Sequence, residues 1–294
     1  MKKLVVFGGL GFVGGVISTQ ALNNWEVTIF DTNKTYSIDG IPVTKIDISD
    51  RNAVIEGIRG IRADTVVNVA AISNIDFAEK NKKNTWDVNV CGAEHIAEAC
   101  RMIGAKYIYF SSDAVFDGTK ELYYEEDFPN PVNYYGKSKA EAEKRVMRRN
   151  SNSVIIRISL VLGYPVTGGN AFFLSLKKKL KNDVELAFPV DEFRTPVDVK
   201  TLSEAVLELA ENDFRGILHI GAIESINRYK LTQKIIAAMG YDPLLVKQKR
   251  SSTDNQDRVQ RHKKGIISVK KAQKLLQTNM LTVNEGIERA IKGY

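Results

Sequence analysis

The amino-acid sequence predicts an α/β protein built on a doubly wound parallel sheet, with a smaller C-terminal lobe. The chain has 294 residues, enough for one large α/β domain and a smaller lobe. Its first two thirds alternate short apolar runs rich in β-branched residues with longer amphipathic stretches. A glycine-rich segment, residues 8–14, follows the first apolar run and opens the first amphipathic stretch. Such alternation is typical of parallel sheets that carry helices on both faces.

The short apolar runs are interpreted as strands because they are too short and too β-branched for helices. The main domain, residues 1–160, contains these strands and the helices between them. The predicted strands cover residues 4–7, 27–30, 65–69, 107–110 and 154–158, and the predicted helices cover residues 13–22, 51–58, 86–103 and 136–149.

The pattern changes after residue 160, where a loop and a lysine-rich helix replace the regular alternation. Residues 195–222 are predicted to return to the main sheet as a helix and a strand. Residues 161–194 and 223–294 are assigned to a substrate-binding lobe. The elements predicted in this part are, in order, a strand over residues 184–188, a helix over Val199–Glu211, a strand over residues 217–220 and a helix over residues 228–239.

The composition, 44% hydrophobic and 26% charged, is that of a globular protein and excludes collagen-like, disordered and disulfide-scaffold classes. No apolar run is long enough to cross a membrane, and no cleavage site follows the apolar start. We therefore expect a cytoplasmic protein with no membrane partner. Two cysteines outside any C-x-x-C pair and only three histidines predict no metal site.

The net charge of +7 is concentrated at the C-terminal end of the sequence. After residue 243, twelve Lys and Arg residues stand against four Asp and Glu. A basic tail can bind nucleic acid, but these charges are dispersed among polar residues and no nucleic-acid motif accompanies them. We expect no nucleic-acid partner. Most of the segment is interpreted as a solvated face, in which Arg250, Arg258 and Arg261 attract a small anionic substrate.

The glycine-rich segment predicts a dinucleotide site of the Rossmann type. Gly8, Gly11 and Gly14 let the backbone approach a pyrophosphate, and the N-terminus of the following helix offers free N–H groups. Asp31 ends the second strand, where a carboxylate accepts the adenosine ribose hydroxyls and repels a 2′-phosphate. NAD(H) is therefore favoured, with NADP(H) as the alternative. The simpler interpretations are a tight βα turn for the glycines and a turn residue for Asp31.

Four more residues complete the predicted cofactor surface within this part of the chain. Phe12 and Val13 belong to the glycine-rich turn itself. Asp47 and Ile48 follow the third short strand and are placed to flank the adenine. A helix cap at Asp47 or Ser49 is the alternative interpretation.

Tyr135 and Lys139 are four residues apart and so share one face of a predicted helix. An ammonium near a phenol lowers the phenol pKa, and such a tyrosine can exchange a proton at an alcohol or ketone. Ser112 follows the fourth strand, where open parallel sheets bind ligands and where a hydroxyl can hold the substrate oxygen. The alternatives are an exposed tyrosine–lysine pair and a turn serine.

Five motifs occur together along most of the chain. They are residues 7–14 (FGGLGFVG), 68–71 (NVAA), 111–118 (SSDAVFDG), 131–139 (PVNYYGKSK) and 157–159 (RIS). In this combination the chain resembles the extended short-chain dehydrogenase/reductases. Within them it is most similar to the dTDP-4-dehydrorhamnose reductases and related sugar-nucleotide reductases. A C-terminal Arg-Pro-x-x-x-x-Leu-Asp signature of that subgroup is not recognisable.

The resemblance implies roles for the residues that match its motifs. Ser112 would be the catalytic hydroxyl and Tyr135 the proton donor, while Lys139 would activate Tyr135 and hold the nicotinamide ribose. Ala70 and Ala71 would line the nicotinamide side of the cofactor site.

Further residues correspond to positions that the family uses around its substrate. Asn89 would stand behind the active site. Asn170 and Arg194 would bind the sugar nucleotide, where an arginine can pair with a diphosphate; a surface arginine is the alternative. The resemblance also implies a homodimer.

The implied reaction is the NAD(P)H-dependent reduction of a 4-keto-6-deoxy nucleotide sugar. Sugar dehydratases of similar sequence carry a second carboxylate after Asp113, where this chain has Ala114, so dehydration is disfavoured. A nucleotide-sugar 4-epimerase and a non-catalytic nucleotide-binding regulatory subunit stay open as alternatives.

Overall fold

The order of helices and strands follows the predicted alternation. The computed structural model describes residues 1–32, 37–38, 40–167, 172–251 and 258–293. The helices are α1 (Phe12–Ala21), α2 (Arg51–Ile61), α3 (Ile75–Lys80), α4 (Lys82–Trp86), α5 (Ala93–Ile103), α6 (Tyr134–Arg149), α7 (Phe172–Lys181), α8 (Val199–Glu211), α9 (Arg228–Ala238), α10 (Lys270–Leu275) and α11 (Val283–Ile291). The strands are β1 (Lys2–Phe7), β2 (Trp25–Asp31), β3 (Val43–Lys45), β4 (Thr65–Asn68), β5 (Lys106–Ser112), β6 (Ser153–Ile158), β7 (Val161–Leu162), β8 (Leu186–Pro189), β9 (Phe193–Arg194), β10 (Val197–Asp198), β11 (Gly216–Ile220), β12 (Ile226–Asn227), β13 (Val246–Lys249) and β14 (Lys264–Gly265).

Seven of these strands form one sheet in the order β3, β2, β1, β4, β5, β6, β11. All neighbouring pairs are parallel, and β1 pairs with β2 on one side and with β4 on the other. The strand order therefore reverses next to β1. Ligands of open α/β sheets bind beyond the carboxyl ends of the strands at such a point. The predicted doubly wound parallel sheet is confirmed.

Two apolar cores, one on each face of the sheet, hold the helices in place. Val6 and Ile29 pack on the face covered by α1 and α8. Val5 and Phe7 pack on the opposite face with α2, α5 and α6. Successive residues of a strand point to opposite faces, so a strand buried on both faces is apolar throughout its length. This is the reason that the strands could be recognised as continuous apolar runs.

The chain is helical throughout residues 86–103, as predicted, but the helix starts earlier, at Lys82, and is not a uniform α-helix. A π-helical turn, Asp87–Gly92, lies between α4 and α5. The turn carries Asn89, whose amide bonds both the Ile72 backbone and the Ser138 hydroxyl. Gly92 lies close enough to Ile48 that an added Cβ would stand 2.6 Å from its Cγ1. These tertiary contacts favour the wider turn, and helical periodicity alone does not reveal it.

The C-terminal lobe has an apolar core of its own, to which α7, α9 and α11 contribute Leu176, Ile235 and Ile287. Small sheets join its segments: β8 pairs with β13, and β9 lies between β12 and β14. The predicted lysine-rich helix is α7, and the predicted strand over residues 184–188 is β8, shifted by two residues at its start.

One part of the lobe assignment differs in the structure. Residues 269–280 were assigned to the substrate-binding lobe, but Val269, Ala272 and Leu276 pack in the core of the main domain beneath α8. Helix α10 also contacts β11, the edge strand of the main sheet. Because α10 is rich in lysine, its charge pattern does not indicate that one side of the helix is apolar. In the described ranges, no helix is long and apolar enough to cross a membrane.

Candidate functional site

Two clefts lie beyond the carboxyl ends of the central strands and share the glycine-rich turn. The first has a volume of about 580 Å³ and the second about 600 Å³. Gly8, Gly11, Val69 and Ala71 line both of them, so the clefts form one continuous trough across the point where the strand order reverses. We call them the catalytic cleft and the adenosine cleft, after the residues described below.

The glycine-rich turn has the geometry that a close backbone approach requires. Gly8 adopts a positive φ of 74°, and a Cβ there would stand 2.8 Å from the Ala70 nitrogen. A Cβ at Gly14 would collide with the Gly8 oxygen and lie 2.8 Å from the Gly9 Cα. Gly11 is the N-cap residue that precedes α1, and it supplies no side chain to cap the helix. The first N–H groups of α1 therefore face the trough without a side chain in front of them, as anion binding at a helix N-terminus requires.

The adenosine cleft brings together Asp31, Asp47 and Ile48, which were predicted around the adenosine. Ala70 and Ala71, which were predicted on the nicotinamide side, line it as well. Asp50 caps helix α2, because its carboxylate accepts two backbone N–H groups, so the alternative of a helix cap at Asp47 or Ser49 is wrong.

Asp31 also contributes to the turn itself. Its Oδ2 accepts a hydrogen bond from the Leu10 nitrogen at 3.1 Å. The carboxylate thus fixes the glycine-rich turn and at the same time faces the adenosine cleft. The turn role and the ribose role are compatible, because a carboxylate has acceptor sites for several donors.

Two asparagines position the backbone that joins the clefts. Asn68 ends β4, accepts from the Ala70 nitrogen at 3.0 Å and donates to the Tyr107 hydroxyl. Asn89 accepts from the Ile72 nitrogen at 2.8 Å and donates to the Ser138 hydroxyl at 3.0 Å. Because position 138 lies on α6, Asn89 ties the end of β4 to the first turns of that helix. It stands behind the catalytic cleft, where the resemblance implied it.

The three predicted catalytic side chains line the catalytic cleft together. Ser112 ends β5, and Tyr135 and Lys139 occupy successive turns of α6. The side chain of Asn133 caps α6 by accepting from the Gly136 nitrogen at 2.9 Å. A Cβ at Gly136 would collide with the backbone oxygen of Ala114. This close approach of α6 to the end of β5 lets Tyr135 hydrogen-bond with Ser112.

The pKa values of Tyr135 and Lys139 differ from the expectation. Loss of hydration raises the pKa of Tyr135 to about 12, although its hydrogen bond with Ser112 acts in the opposite direction. Burial lowers the pKa of Lys139 to about 7, against the charge of Glu143. The Lys139 ammonium lies 4.3 Å from the centre of the Tyr109 ring. The predicted lowering of the Tyr135 pKa is therefore wrong in direction for this structure, and Tyr135 is a protonated group at neutral pH.

A buried carboxylate, Asp113, adjoins Ser112. Its Oδ2 accepts from the Ser159 hydroxyl at 2.6 Å and lies 3.3 Å from His262 Nε2 and 3.6 Å from Arg194 Nε. Ser112 Oγ donates to its other oxygen at 3.1 Å. Burial alone raises the pKa of Asp113, but His262, Arg194 and Ser159 outweigh it and hold the pKa at about 2. The carboxylate is charged throughout the physiological range.

Basic side chains form the wall of the catalytic cleft that the lobe supplies. Arg228, Arg258 and Arg261 line it together with Arg194 and Phe172. The guanidinium of Arg228 lies 4.9 Å from the centre of the Phe172 ring. Arg258 and Arg261 come from the basic segment, as predicted for residues that attract an anion; Arg250 is absent from the described lining.

The two residues predicted to bind substrate on this wall have different outcomes. Asn170 lies outside the described residues. Arg194 lines the cleft, but its guanidinium donates to the backbone oxygens of Phe193, His262 and Lys263 at 2.7, 3.0 and 3.1 Å. Arg194 thus holds strands β9 and β14 together, and its contact with a diphosphate stays a prediction. In the described ranges, no group of three or more His, Cys, Asp or Glu side chains could hold a metal ion.

The comparisons with known proteins agree with this geometry. Residues 1–294 match the protein family described as RmlD substrate binding domain. The chain belongs to this family. It is 35% identical to the dTDP-4-dehydrorhamnose reductase of Sinorhizobium fredii over 226 residues, which cover 74% of this chain and 72% of that protein. The predicted resemblance to the sugar-nucleotide reductases is confirmed.

Two further similarities extend the comparison. Methionine adenosyltransferase 2 subunit beta from Bos taurus is 27% identical over 255 residues, covering 81% of this chain and 72% of that protein. The crystal structure of a Bacillus anthracis dTDP-4-dehydrorhamnose reductase in complex with NADP has a TM-score of 0.89 and 24% identity, with 99% of each chain covered. That structure shares the whole fold with this member of the RmlD substrate binding domain family.

Sequence reasoning missed Asp113 and His262 as residues of the catalytic cleft in this family member. Asp113 was considered only as part of a motif, and His262 only as one of three histidines. The two lie 149 positions apart in the sequence and meet where the lobe residues Arg194 and His262 contact the end of β5. The only signal in the sequence was the position of His262 inside the basic segment.

Proposed function

We propose that this protein is an NAD(P)H-dependent reductase of a 4-keto-6-deoxy nucleotide sugar, similar to the dTDP-4-dehydrorhamnose reductases. The observation that carries the proposal is the convergence of Ser112, Tyr135 and Lys139 in a cleft continuous with the glycine-rich turn. A hydroxyl, a phenol and an ammonium beside a dinucleotide site form a constellation suited to carbonyl reduction. An intact constellation favours an enzyme over a purely regulatory subunit.

The residues of the trough fit a nicotinamide dinucleotide. Gly8, Gly11 and Gly14 leave the room that a pyrophosphate needs, and the open N-terminus of α1 supplies N–H groups and a positive dipole. Asp31 would bind the adenosine ribose. Lys139 would bind the nicotinamide ribose from the other side of the trough. When bound, the reduced nicotinamide supplies the hydride for the keto carbon.

Tyr135 is the proton donor of the proposed mechanism. Its high pKa keeps the phenol protonated at neutral pH, so it holds a proton for the alkoxide that forms as the carbonyl is reduced. The Lys139 ammonium favours the phenolate that remains. Ser112 stabilises the oxygen of the same carbonyl through its hydroxyl, which must turn away from Asp113 to donate to the substrate.

The charges that line the cleft favour different positions for the diphosphate and for the sugar of a nucleotide sugar. Arg228, Arg258 and Arg261 line one wall and could pair with a diphosphate. Arg258 pairs with Glu192 at 3.1 Å and Arg261 with Asp76 at 2.7 Å, so a diphosphate would share these two arginines with carboxylates. Asp113 would repel a diphosphate, so the uncharged sugar would lie beside Asp113 and Ser112. The sugar would thus reach the proton donor while the nucleotide lies along the lobe. A cytoplasmic location, a homodimer and the absence of a nucleic-acid partner stay predictions.

The decisive experiment is an assay of the purified protein with NADH or NADPH and dTDP-4-dehydrorhamnose, in which the nicotinamide absorbance is followed. We expect oxidation of the cofactor, and a higher kcat/KM with NADH than with NADPH, because the Asp31 carboxylate would accept the ribose hydroxyls and repel a 2′-phosphate. Conversion of a nucleotide sugar into its 4-epimer with no net cofactor oxidation would instead establish an epimerase. Tight nucleotide binding with no turnover would favour the regulatory alternative.

Replacement of Gly14 with Ala tests the cofactor site directly. The new Cβ would collide with the Gly8 oxygen, so the turn must open and its N–H groups must move away from the pyrophosphate. We expect NADH binding, measured by fluorescence titration, to weaken by about tenfold or more. Gly15→Ala is the matched control, since its Cβ would make an ordinary contact 3.5 Å from the Thr167 hydroxyl. Equal affinities of the two variants would contradict the proposed site.

A further inference from the structure

His262 has no role in the reaction described so far, although it lines the catalytic cleft. It precedes β14 in the lobe, and only 3% of the residue is exposed. Its Nε2 lies 3.3 Å from Asp113 Oδ2, and Ser112 donates to the other oxygen of that carboxylate. A chain of contacts therefore runs from the proposed catalytic hydroxyl through Asp113 to an imidazole in the cleft wall.

Two glycines beside His262 leave the space that its imidazole ring occupies. A Cβ at Gly265 would collide with His262 Nε2 and stand 2.5 Å from Asp113 Oδ2. A Cβ at Gly118 would stand 2.9 Å from the His262 Cβ. Larger residues at either position would push the ring away from the carboxylate. The contact between His262 and Asp113 therefore depends on the absence of side chains at these two positions.

Both nitrogens of this buried ring lack a hydrogen bond within the described part of the chain. Nε2 nevertheless lies 3.3 Å from the Asp113 carboxylate, so the two nitrogens of His262 have different surroundings. A buried polar group without a partner costs free energy, and such groups are commonly satisfied by water or by a ligand. Because the Asp113 carboxylate lies beside Nε2 and His262 lines the cleft, we infer that Nδ1 is the nitrogen that a molecule in the cleft would hydrogen-bond.

The charges around His262 identify the part of the ligand that it meets. A diphosphate is disfavoured here, since the charged carboxylate of Asp113 lies against the ring. The basic wall of Arg228, Arg258 and Arg261 offers the diphosphate a better position. A sugar hydroxyl is uncharged and can either donate to an imidazole nitrogen or accept from it.

We propose that His262 is a specificity-determining residue that binds the sugar of the substrate through a hydrogen bond between Nδ1 and a hydroxyl near the reacting carbon. Asp113 acts on the substrate through His262, as the residue that orients the ring. This inference rests on the proposed function, because it assumes that a nucleotide sugar occupies the catalytic cleft.

A purely structural role for His262 can be separated from sugar binding by two conservative substitutions. The amide of asparagine occupies the place of Nδ1, whereas the longer glutamine places its amide near Nε2. His262→Asn therefore retains a group for the sugar but loses the contact with Asp113. His262→Gln retains the contact with Asp113 but leaves nothing at the Nδ1 position.

The experiment measures binding of dTDP-rhamnose, the alcohol formed by reduction of dTDP-4-dehydrorhamnose, and of dTDP, which lacks the sugar. We expect His262→Gln to weaken binding of dTDP-rhamnose by about tenfold and to leave dTDP binding unchanged. His262→Asn should recover a measurable part of that loss. Lys263→Ala, a change at an exposed neighbour outside the described cleft lining, serves as the matched control and should bind both ligands as the wild type does. Thermal melting and NADH titration of each variant report whether it folds.

The outcomes separate this inference from the proposed function. Full affinity of His262→Gln for dTDP-rhamnose, or equal losses for dTDP and dTDP-rhamnose, would overturn the sugar contact. A wild-type protein that binds dTDP-rhamnose no more tightly than dTDP would overturn it as well. If the wild type and the His262 variants bind both ligands as expected but the wild type oxidises no NADH with the keto sugar, the reductase assignment fails and the His262 contact stands.

Discussion

Tyr135→Phe is expected to reduce kcat for the keto sugar by about 100-fold or more while the protein still folds and binds NADH. The substitution removes only the phenolic oxygen, so the packing of α6 is preserved. What it removes is the proton that the alkoxide must receive and the hydrogen bond with Ser112. The measurement is steady-state kinetics with NADH and dTDP-4-dehydrorhamnose, together with a fluorescence titration of NADH.

Tyr134→Phe is the matched control for this prediction. Tyr134 occupies the adjacent position of the same helix but is absent from the described lining of the catalytic cleft, and Lys82 lies 5.6 Å from the centre of its ring. We expect near-normal turnover from that variant. Turnover by Tyr135→Phe within a few-fold of the wild type would show that another group protonates the product. Ser112→Ala would then be the next substitution to measure.

Most of the main domain could be predicted because its strands are buried on both faces. A continuous apolar run such as β5 indicates a central strand without knowledge of its neighbours, and the glycines of the first turn indicate where the ligand lies. The Tyr135 and Lys139 pair could be found because both belong to one helix. Features that depend on one element of the chain are therefore visible in the sequence.

The features that sequence reasoning missed depend on contacts between distant elements. The π-helical turn carries Asn89, which hydrogen-bonds the Ile72 backbone and the Ser138 hydroxyl on α6. The sequence of the turn alone indicates neither of these contacts. The contact of Asp113 with His262 depends on the packing of the lobe against the end of β5. The pKa of Tyr135 could not be inferred from the spacing of Lys139 alone, because burial is the largest cause of its rise.

The buried pair of Glu143 and Arg157 links the stability of the fold to the proposed chemistry. Arg157 Nη2 and Nε donate to the two oxygens of Glu143 at 2.7 and 2.9 Å, and both side chains are at least 95% buried. The Ser111 hydroxyl, next to Ser112, also donates to Glu143. Glu143 lies one helical turn after Lys139, and its charge raises the Lys139 pKa against the effect of burial. One carboxylate therefore stabilises both the buried guanidinium and the proposed catalytic ammonium.

Glu143→Gln is expected to lower the free energy of unfolding by about 3 kcal/mol, because it leaves the buried charge of Arg157 without a counter-ion. It should also lower the pKa of Lys139 further below about 7. An ammonium with a lower pKa loses its proton at a lower pH, so the fall of kcat/KM with rising pH should begin at a more acidic pH than in the wild type. Denaturant unfolding measures the first effect, and the pH dependence of kcat/KM measures the second.

Glu141→Gln supplies the control, since it changes a partly exposed carboxylate on the same helix that pairs with Arg145 at 2.9 Å. That loss should cost less than about 1 kcal/mol and leave the pH profile in place. A shift of the Glu143→Gln profile towards alkaline pH would contradict the coupling, because removal of a negative charge cannot favour the protonated lysine. Loss of stability with an unchanged profile would assign Glu143 to the fold alone. A shift without loss of stability would show that the buried guanidinium of Arg157 finds other partners.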